Sequence, residues 1–156
     1  MRPWLTALLW LGLVSVAAAS PDDLVGGAAP PIRARALDAP GEIGLDAYAG
    51  RPVVLAFVAT WCQSCRRVVP ALDTLAAESR DVAVIALSHE PRRRLQEHPW
   101  PHAHVPLLQC TGRTAVQYEA SAVPTLVLLD RERRVRFAGS GASTLRGLRR
   151  ALTDLR

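Results

Sequence analysis

An α/β fold with a mixed central β-sheet and helices on both faces is the class this sequence predicts. Three observations predict it. Short continuous apolar runs, VVLAFVA at 53–59, VAVIAL at 82–87 and TLVLL at 125–129, read as strands buried on both faces. Segments between them repeat apolar residues at three- and four-residue spacing, the period of an amphipathic helix. The strand-helix-strand order early in the chain implies parallel pairing, and a late strand pair joined by a short turn implies an antiparallel edge. The 156 residues fit one domain, and a hydrophobic fraction of 49% suffices for its core.

Along the chain, residues 1–19 come first. Arg2 supplies a positive start, Trp4 to Val16 an apolar stretch, and Ala17-Ala18-Ala19 a small-residue site before Ser20 and Pro21. This is the pattern of a secretory signal peptide. An uncleaved N-terminal anchor is the alternative, although the run falls short of the roughly 20 residues of a full span. Either reading carries the domain out of the cytoplasm, to a periplasmic or other extracytoplasmic place, with membrane association through residues 1–19 in the anchored case. Residues 20–40, rich in Ala, Pro, Gly and Asp, read as a linker and an irregular or short-strand extension, so the folded domain is expected over 41–156.

Gly41 to Ala49 suits a short hairpin and turn. After the strand at 53–59, Cys65 to Ser79 reads as a helix with Val68, Val69, Leu72, Leu75 and Ala76 on one face, and Pro70 is expected to kink it. A strand at 82–87 precedes a short helix from Pro91 to Glu97. His98 to His104 is a proline-broken loop. Val105 to Leu108 reads as a short strand, and Arg113 to Glu119 as a short helix. Strands at 125–129 and 135–138 flank a turn at Asp130 to Arg133, and Gly139-Ser140-Gly141 is expected to end the second. Ser143 then caps a last helix carrying Leu145, Leu148, Leu152 and Leu155 on one face.

Charge excludes some chemistry. The net charge is +5, and the basic residues are all Arg. Without Lys there is no Schiff-base nucleophile and no P-loop. The Arg runs at 92–94 and 131–136 read as solvated faces, and with few aromatics to stack bases no nucleic-acid partner is expected.

Trp61-Cys62-Gln63-Ser64-Cys65 carries the chemistry. It follows a buried strand and opens a helix, whose free N–H groups and partial positive charge favour a thiolate at Cys62. Cys65, one turn on, can reach back and resolve a mixed disulfide. Cys62 is therefore read as the nucleophile and Cys65 as the resolving thiol. Two other uses of the pair compete. Half of a zinc site would need a second pair, and only Cys110 remains. A purely structural disulfide would close too small a loop to constrain the unfolded chain much.

FVATWCQSC followed downstream by AVPTLVLLD resembles the thioredoxin superfamily over about residues 26–156. Within it the chain is most similar to the TlpA/ResA-like branch of exported thiol-disulfide oxidoreductases. The resemblance implies a thioredoxin-like fold and a protein-disulfide reductase or oxidoreductase that needs no cofactor. Its partners would be client proteins with disulfides or thiols and a membrane electron donor that re-reduces the pair. It also implies that Pro124 is a cis-proline opposite the cysteines, that the backbone of Val123 pairs with a client, and that Trp61 shields the disulfide and offers contact surface. A core Trp is the alternative for Trp61, and a trans-proline at a strand start the alternative for Pro124.

The chain departs from the branch in three places. Val68 stands where a Glu is frequent, Ala56 where thioredoxins often bury an Asp, and Thr125 where cytochrome c maturation reductases commonly carry an acid. No carboxylate at those positions can take the proton of the resolving thiol, so water or another group must. Cys110 leaves an odd thiol count: a buried inert thiol, an intermolecular or second redox thiol, or a metal ligand. With His98, His102 and His104 upstream, a copper-holding metallochaperone or assembly factor is the competing function.

Overall fold

The computed structural model describes residues 20–155. Six strands, β1 (Ala34–Ala36), β2 (Val53–Phe57), β3 (Ala83–Ser88), β4 (Leu107–Cys110), β5 (Thr125–Leu129) and β6 (Val135–Ser140), form one sheet in the order β1-β4-β3-β2-β5-β6. β2, β3 and β4 run parallel to one another, while β1 on β4, β5 on β2 and β6 on β5 are antiparallel. The helices are α1 (Cys65–Glu78), α2 (Arg92–Glu97), α3 (Gly112–Gln117) and α4 (Thr144–Asp154).

The sheet is mixed and covered on both faces, as the apolar runs predict. Val54, Ala56 and Val58 of the central strand segment pack with Val68, Val69 and Leu72 of α1, Leu95 of α2 and Leu148 of α4. Val53, Leu55 and Phe57 turn the other way, to Ala115 and Tyr118 around α3 and to Ile32 and Ala34 of the N-terminal segment. A strand with two covered faces has no solvated side to mark with polar residues, which is why its sequence does not alternate.

Several expectations need correction. Residues 20–40, expected as a linker and an irregular or short-strand extension, carry a short strand and pack on the sheet. Pro21–Leu24 forms a 3-10 turn, Ala28 bridges Arg134, and β1 pairs with β4 through Ala34 opposite Cys110. This segment covers the otherwise open edge of β4 and buries Ile32 and Ala34, so the folded unit begins before residue 41. Ile43 pairs with Ala34 rather than within a local hairpin, and Leu45–Tyr48 is a 3-10 turn. β4 starts at Leu107 rather than Val105. β6 continues to Ser140, held by the pairs Leu126 with Gly139 and Thr125 with Ser140. Ser143 stands at the start of α4 with helical backbone angles, and its side chain makes no capping bond.

The Arg runs are not uniformly solvated either. Arg92 donates to the carbonyls of Ala36 and Leu37, and Arg133 to those of Leu45, Tyr48 and Arg51. Both guanidinium groups tie N-terminal segments to the body of the sheet. The signal-peptide or anchor reading of residues 1–19 lies outside the described residues. Among those described, no helix is long and apolar enough to cross a membrane.

Candidate active site

The site forms where central strand β2 ends. The Val58 N–H donates to the Leu87 carbonyl at 2.9 Å, extending the ladder one residue, and the Cys62 N–H then closes a turn onto Ala59 at 3.0 Å. The N–H groups of Arg67 and Val68 both reach the Ser64 carbonyl and start α1. Cys62 and Cys65 are joined as a disulfide with Cα atoms 5.3 Å apart, and each is 4% exposed. The Cys65 N–H donates to Cys62 Sγ at 3.1 Å, and the Ser64 hydroxyl lies 3.5 Å from the same sulfur. Cys62 Sγ thus meets an N–H at the start of a fourteen-residue helix, where negative charge is stabilised.

Trp61 is 69% exposed beside this buried disulfide, so it is not a core residue. Pairing of Phe57 with Thr125 brings the start of β5, and with it Pro124, to the same end of the sheet as the Cys62 turn. The Val123–Pro124 bond is cis. Val123 is half-buried against the cluster that contains both cysteines. Among the described residues, neither its N–H nor its C=O has a hydrogen-bond partner. The loop is braced from behind: the buried Thr125 hydroxyl donates to the Ala122 carbonyl at 2.7 Å and lies 2.6 Å from Ser140 Oγ, while the Gly141 N–H donates to the Pro124 carbonyl.

Glu90 completes the surroundings, and sequence reasoning missed it. It is 7% exposed and lies just beyond the C-terminal end of β3. Its carboxylate accepts the Thr60 N–H at 2.6 Å, the Thr60 hydroxyl at 2.8 Å and the Ser88 hydroxyl at 3.3 Å, with Arg94 at 3.6 Å. Burial raises its pKa, but the bonds from Thr60, Ser88 and Arg94 outweigh that and hold it below the ordinary carboxylate value. Val68 and Ala56 are indeed apolar and buried, yet a buried carboxylate reaches the turn from another strand. The available signal was an acid two residues after the second buried strand, at the end where a parallel sheet collects its functional groups.

The remaining candidates lie elsewhere. Cys110 is a free thiol, 5% exposed on β4 and facing the opposite core; burial pushes its pKa up to about 11. Among the three alternatives, its burial and raised pKa favour the buried thiol. His102 stacks edge-on against Trp100, and the His104 N–H donates to Asp73 of α1. Among the described residues, no three His, Cys, Asp or Glu side chains converge as a metal-ligand set.

Comparison with known proteins agrees with this geometry. The methylamine utilization protein MauD of Methylobacillus flagellatus is 30% identical over 103 residues, which are 64% of this chain and 49% of that protein. The chain thus spans about half the length of that relative. The exposed lipoprotein thioredoxin of Streptococcus pneumoniae superposes with a TM-score of 0.69 at 20% identity, covering 81% of this chain and 100% of that one. A secreted disulfide oxidoreductase of Mycobacterium tuberculosis, homologous to E. coli DsbE, superposes with a TM-score of 0.65 at 19% identity, covering 79% and 95%. Both likenesses establish the thioredoxin-like fold. Residues 25–138 match the AhpC/TSA family model, a span that takes in the disulfide turn, Glu90 and the Val123–Pro124 loop alike, and the chain belongs to the AhpC/TSA family.

Proposed function

We propose that this protein is a thiol-disulfide oxidoreductase that reduces protein disulfides in the cell envelope. One observation carries the reading: Cys62 Sγ accepts the Cys65 N–H at the start of α1, in bonding range of Cys65 and beside the exposed Trp61. In the reduced form that N–H and the helix end favour a Cys62 thiolate, the species that attacks disulfides.

Cys62 attacks one sulfur of a client disulfide. A Cys62–client bond forms, and the other client sulfur leaves as a thiolate. Cys65 gives up its proton and attacks Cys62 Sγ, which expels the second client thiolate and closes the Cys62–Cys65 disulfide seen here. Two electrons have then passed to the client. A dithiol donor at the membrane returns them by the same exchange in reverse. Trp61 and the open backbone of Val123 beside Pro124 offer an extended client segment an apolar platform and two hydrogen bonds. The leader-like sequence of residues 1–19 supports a site of action outside the cytoplasm, where disulfides persist.

Cys65→Ser should leave the attacking thiolate without its resolving partner, so mixed disulfides with envelope proteins should accumulate through Cys62 and vanish in Cys62→Ser. Wild-type protein should also reduce insulin at the expense of dithiothreitol. Absence of both conjugates and insulin turnover would remove the proposal.

A further inference from the structure

We infer that Glu90 is a positioning residue: reaching from the end of β3, its carboxylate grips Thr60 twice and so sets the turn that presents Trp61 and Cys62 to a client. The inference rests on the oxidoreductase reading and adds a residue to it.

The grip is built from both sides. One oxygen accepts the Thr60 N–H at 2.6 Å and the other the Thr60 hydroxyl at 2.8 Å. Thr60 is thereby fixed in position and in orientation, because its backbone and side chain are held at once. Glu90 is itself anchored. Gln109 donates to its carbonyl at 2.9 Å from β4, and Ser88 bonds both its N–H and its carboxylate. A carboxylate this buried loses much hydration, and four donors compensate for it.

The turn needs such a tie. Between the end of the β2 ladder and the first turn of α1, the other backbone bond among the described residues is Cys62 N–H to Ala59. Trp61 projects into solvent, so the backbone at 60–61 sets where its side chain is rooted. A carboxylate gripping residue 60 therefore controls where the platform at residue 61 stands. It touches neither sulfur, so its effect should appear in client binding rather than in the exchange step itself.

Three variants separate this from a merely structural role: Glu90→Ala, Glu90→Gln and Thr60→Val. For Glu90→Ala, KM for insulin should rise about tenfold, the loss expected for a charge-assisted bond. Its kcat, and the rate at which dithiothreitol reduces the Cys62–Cys65 disulfide, should change by less than about twofold. Glu90→Gln keeps an oxygen for the Thr60 N–H and should recover most of the affinity. Thr60→Val loses only the hydroxyl arm and should raise KM by about threefold. The same KM in all variants with only a lowered Tm would overturn the inference. If Glu90→Ala does not fold, unchanged KM in the other two does so. Amide exchange at residue 60 reads the grip without a client: Glu90→Ala should lose most of the protection of the Thr60 N–H, and undiminished protection in that variant also overturns the inference. Wild-type protein inert towards insulin would count against the proposed function, leaving amide exchange to judge the grip.

Discussion

At the scale of single residues, three thiols and one carboxylate have distinct fates set by their surroundings. Cys62 lies against the helix start, whereas Cys110 lies in a dry core with its pKa pushed up to about 11. In the fully reduced native protein at pH 8, iodoacetamide should modify Cys62 rapidly and Cys110 at least about a hundredfold more slowly. Peptide mapping before and after denaturation checks this, and native labelling of Cys110 at the rate of Cys62 would contradict it. Glu90 makes stability depend on pH. Its folded pKa is lowered, so the native state binds fewer protons than the unfolded chain near the ordinary carboxylate value of 4.5. The contribution of Glu90 is present above that value and is lost as pH falls through the lower folded one. Urea unfolding of wild type and Glu90→Gln should show a stability gap at pH 7 that narrows steadily below about pH 4.5. A gap independent of pH would show that the carboxylate charge is not what matters. The cysteine pair was legible because both residues and the helix they open are neighbours in sequence. Glu90 was not, because its partner Thr60 is thirty residues away and nothing local marks the contact.

At the scale of elements, long periodic segments were legible and their ends were not. The apolar stripe of α1 identified the helix, while β1, three residues reading Ala-Arg-Ala, carries no pattern that separates it from a linker. It is a strand because β4 offers it an edge. The joint between β6 and α4 shows the same dependence. A Cβ added at Gly147 would lie 2.5 Å from the Phe137 ring, and one at Gly139 would also press on that ring, at 3.2 Å, and on Thr144. Phe137 fills the space that both glycines leave, and β6 continues through Gly139 because β5 pairs with it there. An exposed helical Gly→Ala usually gains stability. Gly147→Ala should instead cost about 1–2 kcal/mol by overpacking. Equilibrium denaturation measures it, and a stabilised variant would show that Phe137 swings aside freely.

At the scale of the whole molecule, the sheet order brings three distant segments to one end. The turn after β2, the end of β3 and the start of β5 converge because β2 lies between β3 and β5 with one parallel and one antiparallel neighbour. Leu55 sits at the middle of that central strand, fully buried against the α3-side core. Leu55→Ala should cost about 2–5 kcal/mol through lost burial and the cavity left behind. Urea titration with an unchanged m-value is the measurement, and a loss below about 1 kcal/mol would mean that this core is far more loosely packed than the burial indicates.

Taken alone, the sequence determined the α/β class, the principal strands and helices and the Cys62–Cys65 pair. Each is written in residues close enough to share one helical turn or one pleat. Tertiary structure alone decided that residues 20–40 join the sheet, that Arg92 and Arg133 hold carbonyls, and that Glu90 grips the active turn. Those contacts join groups 30 to 88 positions apart, and their existence follows from strand order and register, which no local periodicity encodes.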